Sequence, residues 1–146
     1  MDNKDSLITI INSINSIANK YNLPVIVSTH PRTKDRLSKL KTCDLNPLIR
    51  FLQPFGFFDY IKLQSEALIV LSDSGTISEE ASIIGFPAVT LRESFERPES
   101  MDFGIVAITS LDKKNVMEAV EICISKNFVK LREHAINQRL VYKNIN

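Results

Sequence analysis

The chain has 146 residues, 44% of them hydrophobic and 24% charged, and a formal net charge of +1. That supplies apolar material for one core and fits a single domain over residues 1–146, while the charge makes no electrostatic case for nucleic acid or an anionic membrane. No apolar run approaches a membrane span, the residues after Met1 form no secretory signal, and two histidines with two distant cysteines offer no zinc set, so a cytoplasmic protein with reduced thiols is expected.

Leu7, Ile10, Ile11, Ile14, Ile17, Ala18 and Tyr21 recur at helical spacing, which predicts an amphipathic helix over 6–21, ended by Asn22 and Pro24. A buried strand over 24–28 follows, and Thr29-His30-Pro31-Arg32 leaves its carboxyl end. His30 is either a ligand contact or a polar residue satisfied at a strand end. A short basic helix is expected over 33–40 and a strand over 48–52. The aromatic cluster Phe55-Gly56-Phe57-Phe58-Asp59-Tyr60 then precedes a helix over 59–66. Such aromatics are usually core, but four within six residues exceed what one turn buries easily, leaving one to lie against a flat ligand.

The segment 67–72, ALIVLS, is a continuous apolar run suited to a strand buried on both faces of a parallel sheet. Asp73-Ser74-Gly75-Thr76 breaks that run and supplies N-cap residues, with Glu79 and Glu80 following as in a capping box and Ile77, Ala81 and Ile84 at helical spacing. The first N–H groups of such a helix have no internal acceptor and favour an anion by about 0.3 to 1 kcal/mol. An ordinary cap is the simpler reading of a Ser-Gly turn. Against it, two adjacent carboxylates cannot both serve the cap, so one is left to face a ligand. Gly85-Phe86-Pro87 stops the helix and 88–91 returns as the next strand, a βαβ unit whose ligands sit at the strand carboxyl ends. The charged loop Arg92-Glu93-Ser94-Phe95-Glu96-Arg97-Pro98-Glu99 lies at the same edge, with two arginines suited to a diphosphate. Beyond it a strand is expected over 105–108, an Asp112-capped helix carrying Val116, Ala119, Val120 and Ile124, and a last helix over 129–142. Alternating strands and helices argue a Rossmann-like open parallel sheet with helices on both faces. No GxGxxG follows any strand, which disfavours the dinucleotide form of that fold.

Asp73-Ser74-Gly75, Glu79-Glu80-Ala81, Gly85, Pro87, Arg92 and Glu96-Arg97-Pro98-Glu99, in this order and spacing, resemble the signature of the non-hydrolysing UDP-N-acetylglucosamine 2-epimerases. The resemblance runs from about Leu7 to at least Val120 and covers the C-terminal half of that family's chain. It implies the nucleotide-binding half of a two-domain fold of the GT-B type. Asn22 to Arg32, Phe55 to Tyr60 and Asp73 to Ser78 are similar to the branch that forms UDP-N-acetyl-L-fucosamine for bacterial capsule and O-antigen.

Carried over position by position, the resemblance implies that Ser74, Gly75 and Thr76 hold the diphosphate and that Glu80 accepts both ribose hydroxyls. Arg97 would reach the phosphates or the closing interface, and Tyr60 would line the uracil pocket. Phe55 stands where relatives can carry a polar residue, and His30 would border a regulatory substrate site. For Arg92, Glu96 and Glu99, a salt-bridged loop is as good a reading as ligand contact. The family eliminates UDP across C1 and C2 of the sugar to a 2-acetamidoglycal and adds it back with C2 inverted, without a cofactor. Its acidic catalytic residues and HRREN-like motif match nothing in this chain, so the expected partners are a UDP-sugar, an N-terminal epimerase half and, in the full-length family, a second copy in a homodimer. The competing readings are a donor-binding domain of a glycosyltransferase of the same architecture, and a non-catalytic remnant.

Overall fold

A computed structural model describes residues 4–40, 45–91, 106–126 and 140–145. Its elements in chain order are α1 (Lys4–Tyr21), β1 (Val25–Thr29), α2 (Pro31–Lys39), β2 (Ile49–Leu52), α3 (Phe57–Glu66), β3 (Ala67–Ser72), α4 (Ile77–Ile84), β4 (Ala88–Leu91), β5 (Val106–Thr109), α5 (Lys113–Lys126) and β6 (Leu140–Ile145). The described strands form one six-stranded sheet in the order β2-β1-β6-β3-β4-β5, with every neighbouring pair parallel.

Strand side chains alternate between two cores because the pleat sends successive residues to opposite faces. Val25, Val27, Ile69, Leu71, Val89 and Leu91 point to the face covered by α1 and α5, where Ile10, Ile14, Ile17, Val116 and Val120 meet them. Ile26, Val70 and Ala88 point to the other face, against Ile77 and Ala81 of α4, Phe86, and Tyr60 and Leu63 of α3. Layers on both faces explain why β1, β3 and β4 are buried along their whole lengths.

Punctuation in the sequence does its expected work at three helix ends. Asn22 takes a left-handed φ of 51° and its N–H donates to the Ala18 carbonyl, closing α1. Gly85 at φ 88° ends α4, a conformation that costs a residue with a Cβ more than it costs glycine. Asp112 Oδ2 accepts from the N–H groups of Lys114 and Asn115 at 3.2 and 3.3 Å, capping α5 as predicted.

The last expected helix is overturned. The last helix predicted over 129–142 does not reach its end, since Leu140, Val141 and Tyr142 belong to β6, parallel to both β1 and β3 with Val141 in register with Val25 and Ile69. Residues 129–139 of that prediction lie outside the described residues. Two buried strands leave a gap one strand wide between them, and pairing with both edges outweighs any local helical preference.

Candidate functional site

In a parallel sheet all strand carboxyl ends share one edge. The chain leaves β1 for β2 in one direction and β3 for β4 in the other, so that edge contains a switch point of the kind where open α/β sheets bind ligands. The turn after β3 lies there. Ser72 Oγ accepts from the Ser74 N–H at 3.1 Å, and Ser74 Oγ lies 3.1 Å from Thr76 Oγ1 and 3.4 Å from the Thr76 N–H. A Cβ added at Gly75 would meet nothing within 4 Å, and Gly85 is the positive-φ glycine among the described residues, so neither packing nor backbone demands glycine at Gly75. Its lack of a side chain keeps the space beside the turn open.

Thr76 precedes α4, but the expected capping box does not form. Its backbone is helical rather than extended, and its hydroxyl makes no cap bond; it donates to Glu80 Oε1 at 2.7 Å. An extended backbone is what lets a cap residue fold its oxygen onto the N3 N–H. Without it, the hydroxyl reaches one helical turn ahead. Of the adjacent acids, Glu79 is exposed, while Glu80 turns inward, its Oε2 accepting from Tyr60 Oη at 2.9 Å and from Gln64 Nε2 at 2.7 Å. Tyr60 and Gln64 stand four residues apart on α3, Thr76 and Glu80 four apart at the start of α4. Two helices thus project their same-face pairs onto one carboxylate.

The structure joins Tyr60, Ser74, Thr76 and Glu80 in one hydrogen-bonded group, with Gly75 in the same turn between Ser74 and Thr76. Phe55 packs with Tyr60 against the core under α4. His30 lies at the same sheet edge, exposed, ahead of α2, with no side-chain cap bond and no contact joining it to that group. Arg92 and Arg97, with Glu96 and Glu99, lie outside the described residues. The open aromatic faces of the cluster belong to Phe57 and Phe58, 72% and 85% exposed in an edge-to-face pair 5.6 Å apart. Gln64 is the participant that sequence reasoning missed. Its spacing from Tyr60 was a readable signal, but a glutamine in a helix ordinarily reads as surface.

Among the described residues no group of three or more His, Cys, Asp or Glu is placed to hold a metal ion, and no helix is long and apolar enough to cross a membrane. Cys123 is buried in the α5 core with its thiol 3.5 Å from the Ala88 carbonyl.

A family model described as UDP-N-acetylglucosamine 2-epimerase matches residues 1–144. The chain belongs to that family. It is 36% identical over 129 residues to a UDP-N-acetylglucosamine 2-epimerase of Methanocaldococcus jannaschii, a match covering 86% of this chain and 35% of the relative. Among solved structures, a UDP-N-acetylglucosamine 2-epimerase from Rickettsia bellii superposes with a TM-score of 0.75 at 45% identity, covering 84% of this chain and 33% of that one. The M. jannaschii enzyme solved in complex with UDP-GlcNAc and UDP superposes with a TM-score of 0.71 at 32% identity, over 92% of this chain and 42% of that one. The chain therefore spans between a third and a half of these relatives' lengths, and its sheet is an α/β domain of the GT-B type.

Proposed function

We propose that this chain is a single UDP-binding domain, the C-terminal part of a cytoplasmic epimerase that inverts C2 of a UDP-N-acetylhexosamine. The observation that carries the reading is the Glu80 carboxylate, aimed by Tyr60, Gln64 and Thr76 at the mouth of the β3–α4 turn. A carboxylate beside a helix N-terminus repels phosphate if it lies in the phosphate's path, but accepts strongly from sugar hydroxyls. Glu80 is therefore the ribose acceptor. The diphosphate falls to the turn at Ser74, Gly75 and Thr76. Because the Ser74 N–H is already held by Ser72 Oγ, the donors for phosphate are the Gly75 N–H and the first turn of α4, with Arg92 and Arg97 as cationic partners. Uracil would lie along Tyr60, beside Phe55.

Elimination of UDP across C1 and C2 requires a base at C2, an acid for return from the opposite face, and a hold on the departing UDP. This chain supplies the hold. Glu80 is engaged by three donors, Glu79 and His30 are exposed, and Glu96 and Glu99 lie outside the described residues; following the family resemblance, we assign the acid and base to a second domain closing over the sugar. Exposed Phe57 and Phe58 give that domain an apolar surface to meet. We further propose that the sugar is the 6-deoxy hexosamine of the UDP-N-acetyl-L-fucosamine branch, for capsule or O-antigen, and that the whole protein is a homodimer.

Calorimetric titration of the chain with UDP tests the hold: Glu80→Ala should weaken binding by about 1.5 to 3 kcal/mol, roughly 10- to 150-fold. Equal affinities would remove the ribose role. Incubation with UDP-N-acetylglucosamine in deuterated water should give no C2 exchange above background, and exchange would mean that a base is present in this chain.

A further inference from the structure

Gln64 is the side chain of α3 that is wholly buried, and it is polar, on a helix whose Tyr60, Ile61 and Leu63 are only half buried. Its Oε1 has no hydrogen-bond partner among the described residues. A leucine or methionine there would pack without leaving a carbonyl unsatisfied, so the glutamine needs another account. Its Nε2 supplies one, donating to Glu80 Oε2 at 2.7 Å, the oxygen that also accepts from Tyr60 Oη at 2.9 Å.

A carboxylate offers about four acceptor positions, two on each oxygen. Tyr60 and Gln64 fill those of Oε2, and Thr76 takes one of Oε1. One position remains, and it is on Oε1. From this count we infer that Gln64 is a positioning residue: with Tyr60 it saturates the inner oxygen, fixes the plane of the carboxylate, and leaves Oε1 as the atom that meets the ribose. Glu80 then accepts from one ribose hydroxyl while Thr76 stays in place, rather than from both. A tyrosine hydroxyl alone would act as a pivot about which the carboxylate could turn. The planar amide, seated in the core, removes that rotation.

The inference rests on the ribose role of Glu80 and is tested so that the two can fail separately. Affinities of the full chain for UDP and for 2′,3′-dideoxy-UDP would be measured in wild type, Glu80→Gln and Gln64→Met. Wild type should prefer UDP by about tenfold or more, the worth of one charge-assisted bond. Gln64→Met should cut that preference to about threefold or less while leaving dideoxy-UDP affinity unchanged, because only the aim of the carboxylate is lost. Equal weakening toward both nucleotides, or a preference kept in Gln64→Met but lost in Glu80→Gln, would overturn the positioning role. A preference kept in Glu80→Gln would overturn the ribose reading itself. Wild type alone gives a second reading that needs no folded variant. Of 2′-deoxy-UDP and 3′-deoxy-UDP, one should bind nearly as well as UDP and the other nearly as poorly as the dideoxy compound; losses that multiply would mean that Oε2 is open to ribose and that Gln64 does not close it.

Discussion

Two corners of the sheet share an outline and differ in everything that matters for a site. After β1, Thr29-His30-Pro31 turns into α2, and after β3, Ser72 to Thr76 turns into α4. Both strands are buried throughout and both helices begin at the carboxyl edge. Yet α2 buries no residue fully and His30 stands exposed without a cap bond, whereas α4 drives Ile77 and Ala81 into the core and carries Glu80 into bonds with a neighbouring helix. The lesson concerns how a polar side chain comes to have a fixed position. A strand end supplies a location, but an aimed carboxylate needs a packed helix behind it and donors from a second element.

The largest effect that could break this comparison is on stability. Ile77→Ala removes a wholly buried side chain from the core under α4 and should cost about 2 to 5 kcal/mol. Leu37→Ala in α2, only half buried, should cost less than half as much, measured by urea unfolding of both variants against wild type. Similar losses would mean that α2 is as firmly anchored as α4, and the difference in packing could not explain the difference in polar order.

Substitutions that separate binding from stability come next. Gly75→Val projects a branched side chain into open space beside the turn, so its stability should stay within about 0.5 kcal/mol of wild type. UDP affinity should nevertheless fall by about tenfold or more, because the same space is where a phosphate approaches the first N–H groups of α4. Unchanged UDP affinity would take the phosphate away from this turn. At the other corner, His30→Ala should change UDP affinity less than about threefold, since nothing among the described residues joins His30 to the Glu80 group.

How much of this could be read from residue order follows from the range of the interactions. The β3–α4–β4 unit was legible because its signals are local: an apolar run, Ser-Gly, helical spacing, then Gly85-Phe86-Pro87. The Asp112 cap was legible for the same reason, spanning only two and three residues. Gln64 was not, because its partner is sixteen residues away and it looks like any polar helix residue until α3 is laid against α4. Tyr60 was named as a candidate site residue through the family resemblance, but the bond from its hydroxyl to Glu80 was not foreseen. The capping box failed on a backbone angle at Thr76 that residue types do not specify. β6 failed as a predicted helix because its two partners, β1 and β3, are far from it in the chain and compete with helix only once the sheet exists.

The smallest effect sharpens the comparison from the opposite side, at a polar contact with no packing behind it. On the face away from α3 and α4, Lys20 near the end of α1 pairs with Glu121 of α5, both exposed, and its ammonium lies 5.7 Å from the centre of the Tyr21 ring. The hydrogen bond to Glu121 raises the Lys20 ammonium above its ordinary range despite some desolvation, and burial raises the Tyr21 phenol despite the nearby ammonium. Both groups therefore hold their protons more tightly folded than unfolded, so the stability they contribute is fully present below about pH 10 and is lost as the pH rises through the folded values. Lys20→Met should accordingly lower the Tm by no more than roughly one to two degrees at neutral pH, the modest worth of an exposed pair. That gap between variant and wild type should close as the pH is taken above about 10.5. Salt should close it too, because exposed charges are screened over about 8 Å at physiological ionic strength. A gap that survives both treatments would mean that the contact acts through packing of the lysine stem on Tyr21 rather than through its charge.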